Sequence, residues 1–494
     1  MSVSSFDPRT GVVVATVADT DADALQAVLT AAAEAAPRLA ATSPAVRRDW
    51  MYVLADALEE HTEELARLAD RETALGLDRL RGEVARAAGQ LRFYGEVAAE
   101  GSYLDVTVDG PTAASPGLVR VHRPLGPVAV FGASNFPFAF SVLGNDTGSA
   151  LAAGCPVVAK AHPAHVGLSL RQAEIAREAL ARAGAPAGAF AVVSGHQVGI
   201  DLVRAAEVAA VAFTGSQAGG LALWRIANER EAVIPVYAEM GTVNPVVVTR
   251  AGAQDMPAVA GGFVGSFTLG GGQFCTKPGL LLAPRGAGAA DAVAVALRDA
   301  APAPVMLSAA IARGVADGLG ELVAAGATVV AQVPAAQDGF AAPAAVLSAP
   351  LDALVPGSRL LEETFGAVVL VAEYDDDGEL ADVVRRLQPA LAASVISGGP
   401  ADPQAGQVVA LLGERVGRVA VDTWPTGVAF NWAQQHGGPW PATSAPGVTS
   451  VGAHALSRFV RPVAFQSTPD RWLPPEARAD NPWRLPRRVD GVRR

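Results

Sequence analysis

A cysteine at position 275 sits in the run Gly270-Gly271-Gly272-Gln273-Phe274-Cys275-Thr276-Lys277-Pro278-Gly279. Glycines let a backbone approach a ligand closely and take conformations that other residues resist. A thiol among them can meet a substrate head-on, with main-chain N–H groups nearby to stabilise its thiolate. Upstream, Glu239 in Ala238-Glu239-Met240-Gly241-Thr242-Val243-Asn244-Pro245 offers a carboxylate able to act as general base. The chain has 2 cysteines, which excludes a disulfide framework, and Cys155 in its apolar setting reads as a packing residue. A thiol and a carboxylate alone fit hydrolases and transferases as well as oxidoreductases.

The elements that must hold these groups are legible as pattern. Residues from about Asp21 to Val97 read as helices, with Trp50, Val53, Leu54, Ala57, Leu58, Leu65 and Leu68 on one apolar stripe. Tyr103–Val108 and Leu118–Arg123 alternate across a Gly/Pro/Ser segment and predict a β-hairpin. From Pro127 to about Val248, apolar strands alternate with helices: Val128–Phe131, Val157–Lys160, Phe190–Val193, Val208–Phe213 and Pro245–Val248. Continuous apolar strands imply a parallel sheet covered on both faces, which binds ligands beyond its carboxyl edge. A second α/β stretch runs from about Ala251 to Asp422, followed by a strand near Phe459–Gln466 and an arginine-rich tail that reads as a surface strap.

Composition narrows the class. At 494 residues, half of them apolar, the chain is long enough for several cores, and length alone suggests two to four domains. A net charge of −11 argues against general nucleic-acid binding, which needs excess Lys and Arg. No secretory signal and no membrane span are expected, and sparse cysteine points to a reducing compartment, so a cytoplasmic enzyme is expected. No metal site and no internal repeat are expected.

Six motifs in order resemble those of the aldehyde dehydrogenase superfamily over essentially the whole chain: Phe131-Gly132-Ala133-Ser134-Asn135-Phe136-Pro137, Val157-Val158-Ala159-Lys160, Phe213-Thr214-Gly215-Ser216, Glu239-Met240-Gly241, Gly272-Gln273-Phe274-Cys275 and Glu362-Glu363-Thr364-Phe365-Gly366. The resemblance implies an α/β fold with three parts: a variant Rossmann cofactor domain (residues 1–100 and 124–250), an α/β catalytic domain (251–445) and a small β oligomerisation flap with the tail (101–123 and 446–494). It implies Cys275 as nucleophile, Glu239 as the base that activates water, and Asn135 with the Cys275 N–H as oxyanion donors. For the cofactor there is no Gly-x-Gly-x-x-Gly, and the resemblance assigns Gly215 and Ser216 to the pyrophosphate, Lys160 to the adenosine ribose, and Glu363 with Phe365 to the nicotinamide side.

Two departures stand out. Many NAD-preferring members carry a glutamate three residues after the lysine, and here that position is Pro163. Without that carboxylate a 2′-phosphate meets no repulsion, and Lys160 with His162 could attract it, so NADP is favoured with NAD possible. The proline usual after Phe-Gly is Ala367. The segments around Asn431–Thr443 and Thr449–Val463 resemble the branch holding 2,5-dioxopentanoate (α-ketoglutarate semialdehyde) dehydrogenases and NADP-dependent fatty aldehyde dehydrogenases. That branch places His436 near the cysteine, where it would tune the thiol or merely satisfy loop backbone, and makes Phe136 and Trp440 candidates for walling an aldehyde tunnel or for plain packing. Long-chain or aromatic aldehydes, a CoA-using acyl transfer and a non-catalytic nucleotide-binding relative are the rival readings. A homodimer or homotetramer built through the flap is expected.

Overall fold

Three β-sheets and a helical layer make the frame in the computed structural model, which describes residues 1–336 and 338–494. Five strands form one wholly parallel sheet in the order Phe190–Val193, Val157–Lys160, Val128–Phe131, Ala210–Gly215, Val236–Met240. A seven-stranded sheet runs Thr328–Val333, Ala344–Ser348, Val368–Tyr374, Pro278–Pro284, Asn244–Val248, Ala390–Ile396, Val416–Val421, parallel except for its first pair. The strand at Pro245–Val248, expected in the first sheet, belongs to the second. As the strand Asn244–Val248 it is buried at all five positions, and nothing in the apolar run Pro245–Val248 says which sheet it joins. The place it was to fill is taken by Val236–Met240, the strand that bears Glu239.

The expected strand at Val208 begins at Ala210 and runs through Thr214 and Gly215. In the predicted hairpin Tyr103 and Leu104 form a 3₁₀ turn, and pairing starts at Val106. Leu118–Pro124 pairs with Val460–Gln466 as well as with Val106–Asp109. The arginine-rich tail is more than a strap: Arg487–Val489 and Val492–Arg493 extend the same sheet. An N-terminal hairpin that was not expected pairs Ser2–Phe6 with Val13–Ala18.

The helical stripe holds but is divided. Ser43 caps a helix over Pro44–Glu60, with Pro44 at its first turn, where a missing N–H does no harm. A new helix starts at Thr62, and Leu77–Glu100 packs across both. Trp50, Leu54, Ala57, Leu58 and Leu65 are buried, with Val53 and Leu68 partly covered against the same core. No helix among the described residues is long and apolar enough to cross a membrane.

Candidate active site

Four loops that meet the candidate cofactor cleft leave the carboxyl ends of strands in the five-stranded sheet. Val128–Phe131 leads into Gly132–Asn135, Val157–Lys160 into His162, Ala210–Gly215 into Ser216, and Val236–Met240 into Gly241. Across from them stand Cys275, Glu363 and Phe365 from the seven-stranded part. Together these groups line a cavity of about 510 Å³. Lys160, His162, Pro163, Gly215, Ser216, Glu239, Asn135 and Cys275 are all on its wall, so the sequence-predicted groups are brought together.

The cysteine loop needs its glycines. Gly270, Gly271 and Gly272 all have positive φ (58°, 68° and 75°). A Cβ on Gly272 would lie 2.3 Å from the carbonyl carbon of Gly366, so the nucleophile loop and the Glu363 loop touch backbone to backbone. The Asn244 amide donates to the Cys275 and Lys277 carbonyls, both at 2.9 Å. Asn135 Nδ2 donates to the Gln273 carbonyl at 2.7 Å, which fixes the amide beside the loop and leaves its second N–H available. Arg79 donates to the Asn135 carbonyl at 2.7 Å from behind.

Around Sγ the groups are close enough to pass a proton. His436 Nε2 lies 3.6 Å from Cys275 Sγ and 3.1 Å from Glu239 Oε2. The three donor atoms are all within 4.8 Å of one another. Ser450 Oγ donates to Glu239 Oε2 at 3.2 Å, and Thr449 Oγ1 accepts from the His436 N–H at 2.8 Å. Behind them Arg458 donates to Asp146 (2.8 Å) and to the Ser450 carbonyl (3.2 Å). Burial opposes ionisation of Glu239, but His436, Ser450 and Arg458 outweigh it and hold the carboxyl below its usual value.

The resting thiol differs from expectation. Surrounding protein, then the charges of Glu239 and Glu363, push the Cys275 pKa well above its usual value, against the Thr276 N–H and Arg418. Main-chain donors alone therefore do not make a thiolate here. A base must take the proton, and His436 is the nearest one.

Glu363 and Lys277 stand near enough in the interior for each to act on the other's charge. Burial raises Glu363 to about 7, opposed by Lys277, and lowers Lys277 to about 8, opposed by Glu363. Lys277 Nζ also donates to the carbonyls of Thr364 (3.0 Å) and Val368 (2.9 Å), fastening the Glu363 segment to the cysteine loop. Lys277 lies inside the cysteine motif, but nothing in that motif's pattern assigns it this role. Glu363 Oε1 is buried without a partner, and a Cβ at Gly241 would fall 2.0 Å from Glu363 Oε2. Ser216 caps the helix Gln217–Asn228, its Oγ accepting from Gly219 N at 3.2 Å, and the helix's positive end faces the cavity.

The remaining candidates divide. Trp440 packs edge-on against Trp224 with ring centroids 6.1 Å apart, is 47% exposed, and is not on the wall of the cofactor cavity. His162 was expected to attract a phosphate as a cation. Burial, then His165 and Lys160, lower its pKa well below the usual value, so it is neutral and its Nδ1 accepts from Ala164 N at 3.1 Å. Phe136 stays beside the cysteine loop, edge-on to Phe274 at 5.0 Å and under Arg79. Cys155 is the packing residue expected: fully buried, with its pKa pushed up by burial to about 11.

Glu83 is a residue no motif flagged. It accepts from the N–H groups of Phe138 and Ala139, just beyond Asn135, and burial raises its pKa to about 7 from the ordinary 4.5. The folded state therefore holds a proton that the unfolded chain releases. The stabilisation is present below about pH 4.5 and lost as pH rises through about 7. Glu83→Gln keeps the acceptor and removes the titration, so thermal melts from pH 4.5 to 7 should slope less steeply than those of the parent. An unchanged slope would contradict the buried, protonated carboxyl.

The aldehyde dehydrogenase family model matches residues 1–461. The chain belongs to the aldehyde dehydrogenase family. It is 42% identical over 458 residues to α-ketoglutaric semialdehyde dehydrogenase 2 of Azospirillum brasilense, covering 90% of this chain and 87% of that one. It is 37% identical to the α-ketoglutaric semialdehyde dehydrogenase of Acinetobacter baylyi, covering 91% and 88%. Among solved structures, a putative aldehyde dehydrogenase from Burkholderia cenocepacia superposes with a TM-score of 0.79 at 26% identity, over 95% of this chain and 97% of that one.

Proposed function

We propose that this aldehyde dehydrogenase oxidises 2,5-dioxopentanoate to 2-oxoglutarate with a nicotinamide cofactor, NADP in preference to NAD. One observation carries the chemistry: the Cys275 thiol stands within proton-transfer reach of His436 and Glu239 on the wall of a cleft that also presents Glu363 and Lys160. The substrate rests on the relatives at 42% and 37% identity.

The cleft suits a dinucleotide. The Gln217–Asn228 helix N-terminus would hold the pyrophosphate, Lys160 the adenosine ribose, and the unpartnered Glu363 Oε1 a ribose hydroxyl. When bound, the nicotinamide accepts a hydride. His436 Nε2 takes the Sγ proton, and the imidazolium formed donates to Glu239. The thiolate adds to the aldehyde carbon, and the second N–H of Asn135 with the Cys275 N–H meets the oxygen that gains charge. Loss of hydride from that carbon leaves a thioester on Sγ. Glu239 then takes a proton from water as its oxygen attacks the thioester, the C–S bond breaks, and the acid departs.

An aldehyde panel crossed with NAD and NADP tests the proposal: 2,5-dioxopentanoate is expected to have a kcat/KM above those of hexanal and benzaldehyde. Preference for either of the latter would overturn the substrate assignment.

NADP preference rests on Pro163, which lines the cavity where NAD-preferring members carry a carboxylate, and on Lys160. Neutral His162 contributes a hydrogen-bonding ring rather than a charge. Pro163→Glu should therefore move the NADP/NAD ratio of kcat/KM toward NAD by about tenfold or more, since a like charge beside the phosphate costs over 1 kcal/mol. An unmoved ratio would remove Pro163 from the account.

A homo-oligomer is part of the same reading. Val460–Gln466 is an edge strand of the flap sheet, open to pairing on one side. Light scattering should give at least a dimer, and a mass near 50.3 kDa would contradict it.

A further inference from the structure

An aldehyde that carries a carboxylate must be told apart from a neutral one, and nothing in the cofactor cleft does so. Two arginines outside that cleft can. Arg86 lies on the helix Leu77–Glu100 and Arg418 on the strand Val416–Val421. Both are partly buried and neither forms an ion pair among the described residues. The nearest acid to Arg86, Glu83, spends an oxygen on the N–H groups of Phe138 and Ala139. A guanidinium drawn out of water without a counterion is costly, and a charged ligand is the usual compensation.

Geometry places both at the nucleophile. Arg86 Nη2 donates to the Val428 carbonyl, and Arg418 Nη2 to those of Pro425 (2.5 Å) and Gly427 (2.9 Å), so both heads are fastened to one loop. That loop is tied to the cysteine by the Gly427 N–H, which donates to Thr276 Oγ1 at 3.2 Å. Both arginines are close enough for their charge to act on a thiolate formed at Cys275. Neither lines the cofactor cavity. The Arg86 head is fixed between Phe140 and Phe430, 5.8 and 5.7 Å from their centroids. The Nε atoms of Arg86 and Arg418 are buried without partners. One turn along the helix from Arg86, Gln90 is 1% exposed, and neither its amide oxygen nor its amide nitrogen has a partner. A buried amide with both ends unsatisfied is rare without a ligand or water to meet it.

We infer that Arg86 and Arg418 bind the carboxylate of an acidic semialdehyde while its aldehyde end meets Cys275, with Gln90 donating to the oxo group beside that carboxylate. The inference rests on the acidic substrate proposed above. It makes these three residues the determinants of specificity and leaves bond-making to Cys275.

The test is the ratio of kcat/KM for 2,5-dioxopentanoate over pentanal, measured for the parent, Arg86→Met, Arg418→Met and Arg86→Lys, each checked for folding by its thermal melt. Each methionine variant is expected to lower the ratio about 10- to 100-fold, mostly through KM, as loss of a charge-assisted contact does. Lysine at 86 should restore part of it. A second readout needs no turnover: calorimetric binding of 2-oxoglutarate to Cys275→Ala protein should weaken by a similar factor when either arginine is also replaced. If the ratio and the calorimetric affinity stay within about twofold of the parent in folded variants, the inference is overturned. Should Arg86→Met fail to fold, Arg418→Met and Arg86→Lys decide. A parent enzyme that prefers pentanal would instead overturn the substrate reading, before any variant is compared.

Discussion

Cys275→Ala is expected to abolish NAD(P)H formation, lowering kcat by at least about 10⁴-fold, as removal of a covalent nucleophile does elsewhere. The size follows from the mechanism: without Sγ no tetrahedral adduct forms, and an aldehyde has no other route to hydride loss at this site. Cofactor binding should survive, because Lys160, the Ser216-capped helix and Glu363 are untouched by the change. The measurements are steady-state turnover and fluorescence titration with NADPH. Retained turnover would contradict the assignment of the nucleophile, while lost cofactor binding would show that the loop had collapsed.

Glu239→Gln should have the second largest effect. Glutamine can still accept from Ser450, so the local bond geometry survives, but an amide oxygen takes no proton from water. Thioester hydrolysis should stall, with kcat falling about 10²- to 10⁴-fold, the range for loss of a general base. Acylation draws on His436 as well as on Glu239, so the first turnover should suffer less than the second. Rapid mixing should then show a burst of about one NADPH per active site followed by a slow phase. Equal slowing of both phases would place Glu239 only before hydride transfer.

The catalytic loop, the cofactor strands and Glu363 were legible because each is a short motif whose residues do their work close together in sequence. Gly270–Gly272 announce the positive φ values that the loop adopts. What escaped was set by packing between distant segments. The strand Asn244–Val248 carries an apolar run that either sheet could accept, and only its pairing with Pro278–Pro284 and Ala390–Ile396 decides. The thiol's raised pKa comes first from burial and then from the charges of Glu239 and Glu363, which distant segments bring to one point. The buried pair of Asp146 and Arg458, which braces Ser450 and through it Glu239, joins residues more than three hundred positions apart. His436 was placed near the cysteine by resemblance, yet its reach to both Sγ and Glu239 is a property of the folded loop. Trp440, four residues on, turns outward onto Trp224 instead.

The central claim is that oxidation passes through a thioester on Cys275 that Glu239 then hydrolyses. The most direct measurement is peptide mapping by mass spectrometry of Glu239→Gln protein quenched during the NADP burst with 2,5-dioxopentanoate. The account expects the acyl mass on the peptide containing Cys275, appearing in step with NADPH and absent when NADP is omitted. A full burst with no acyl group on Cys275, or with the label on another residue, would contradict it.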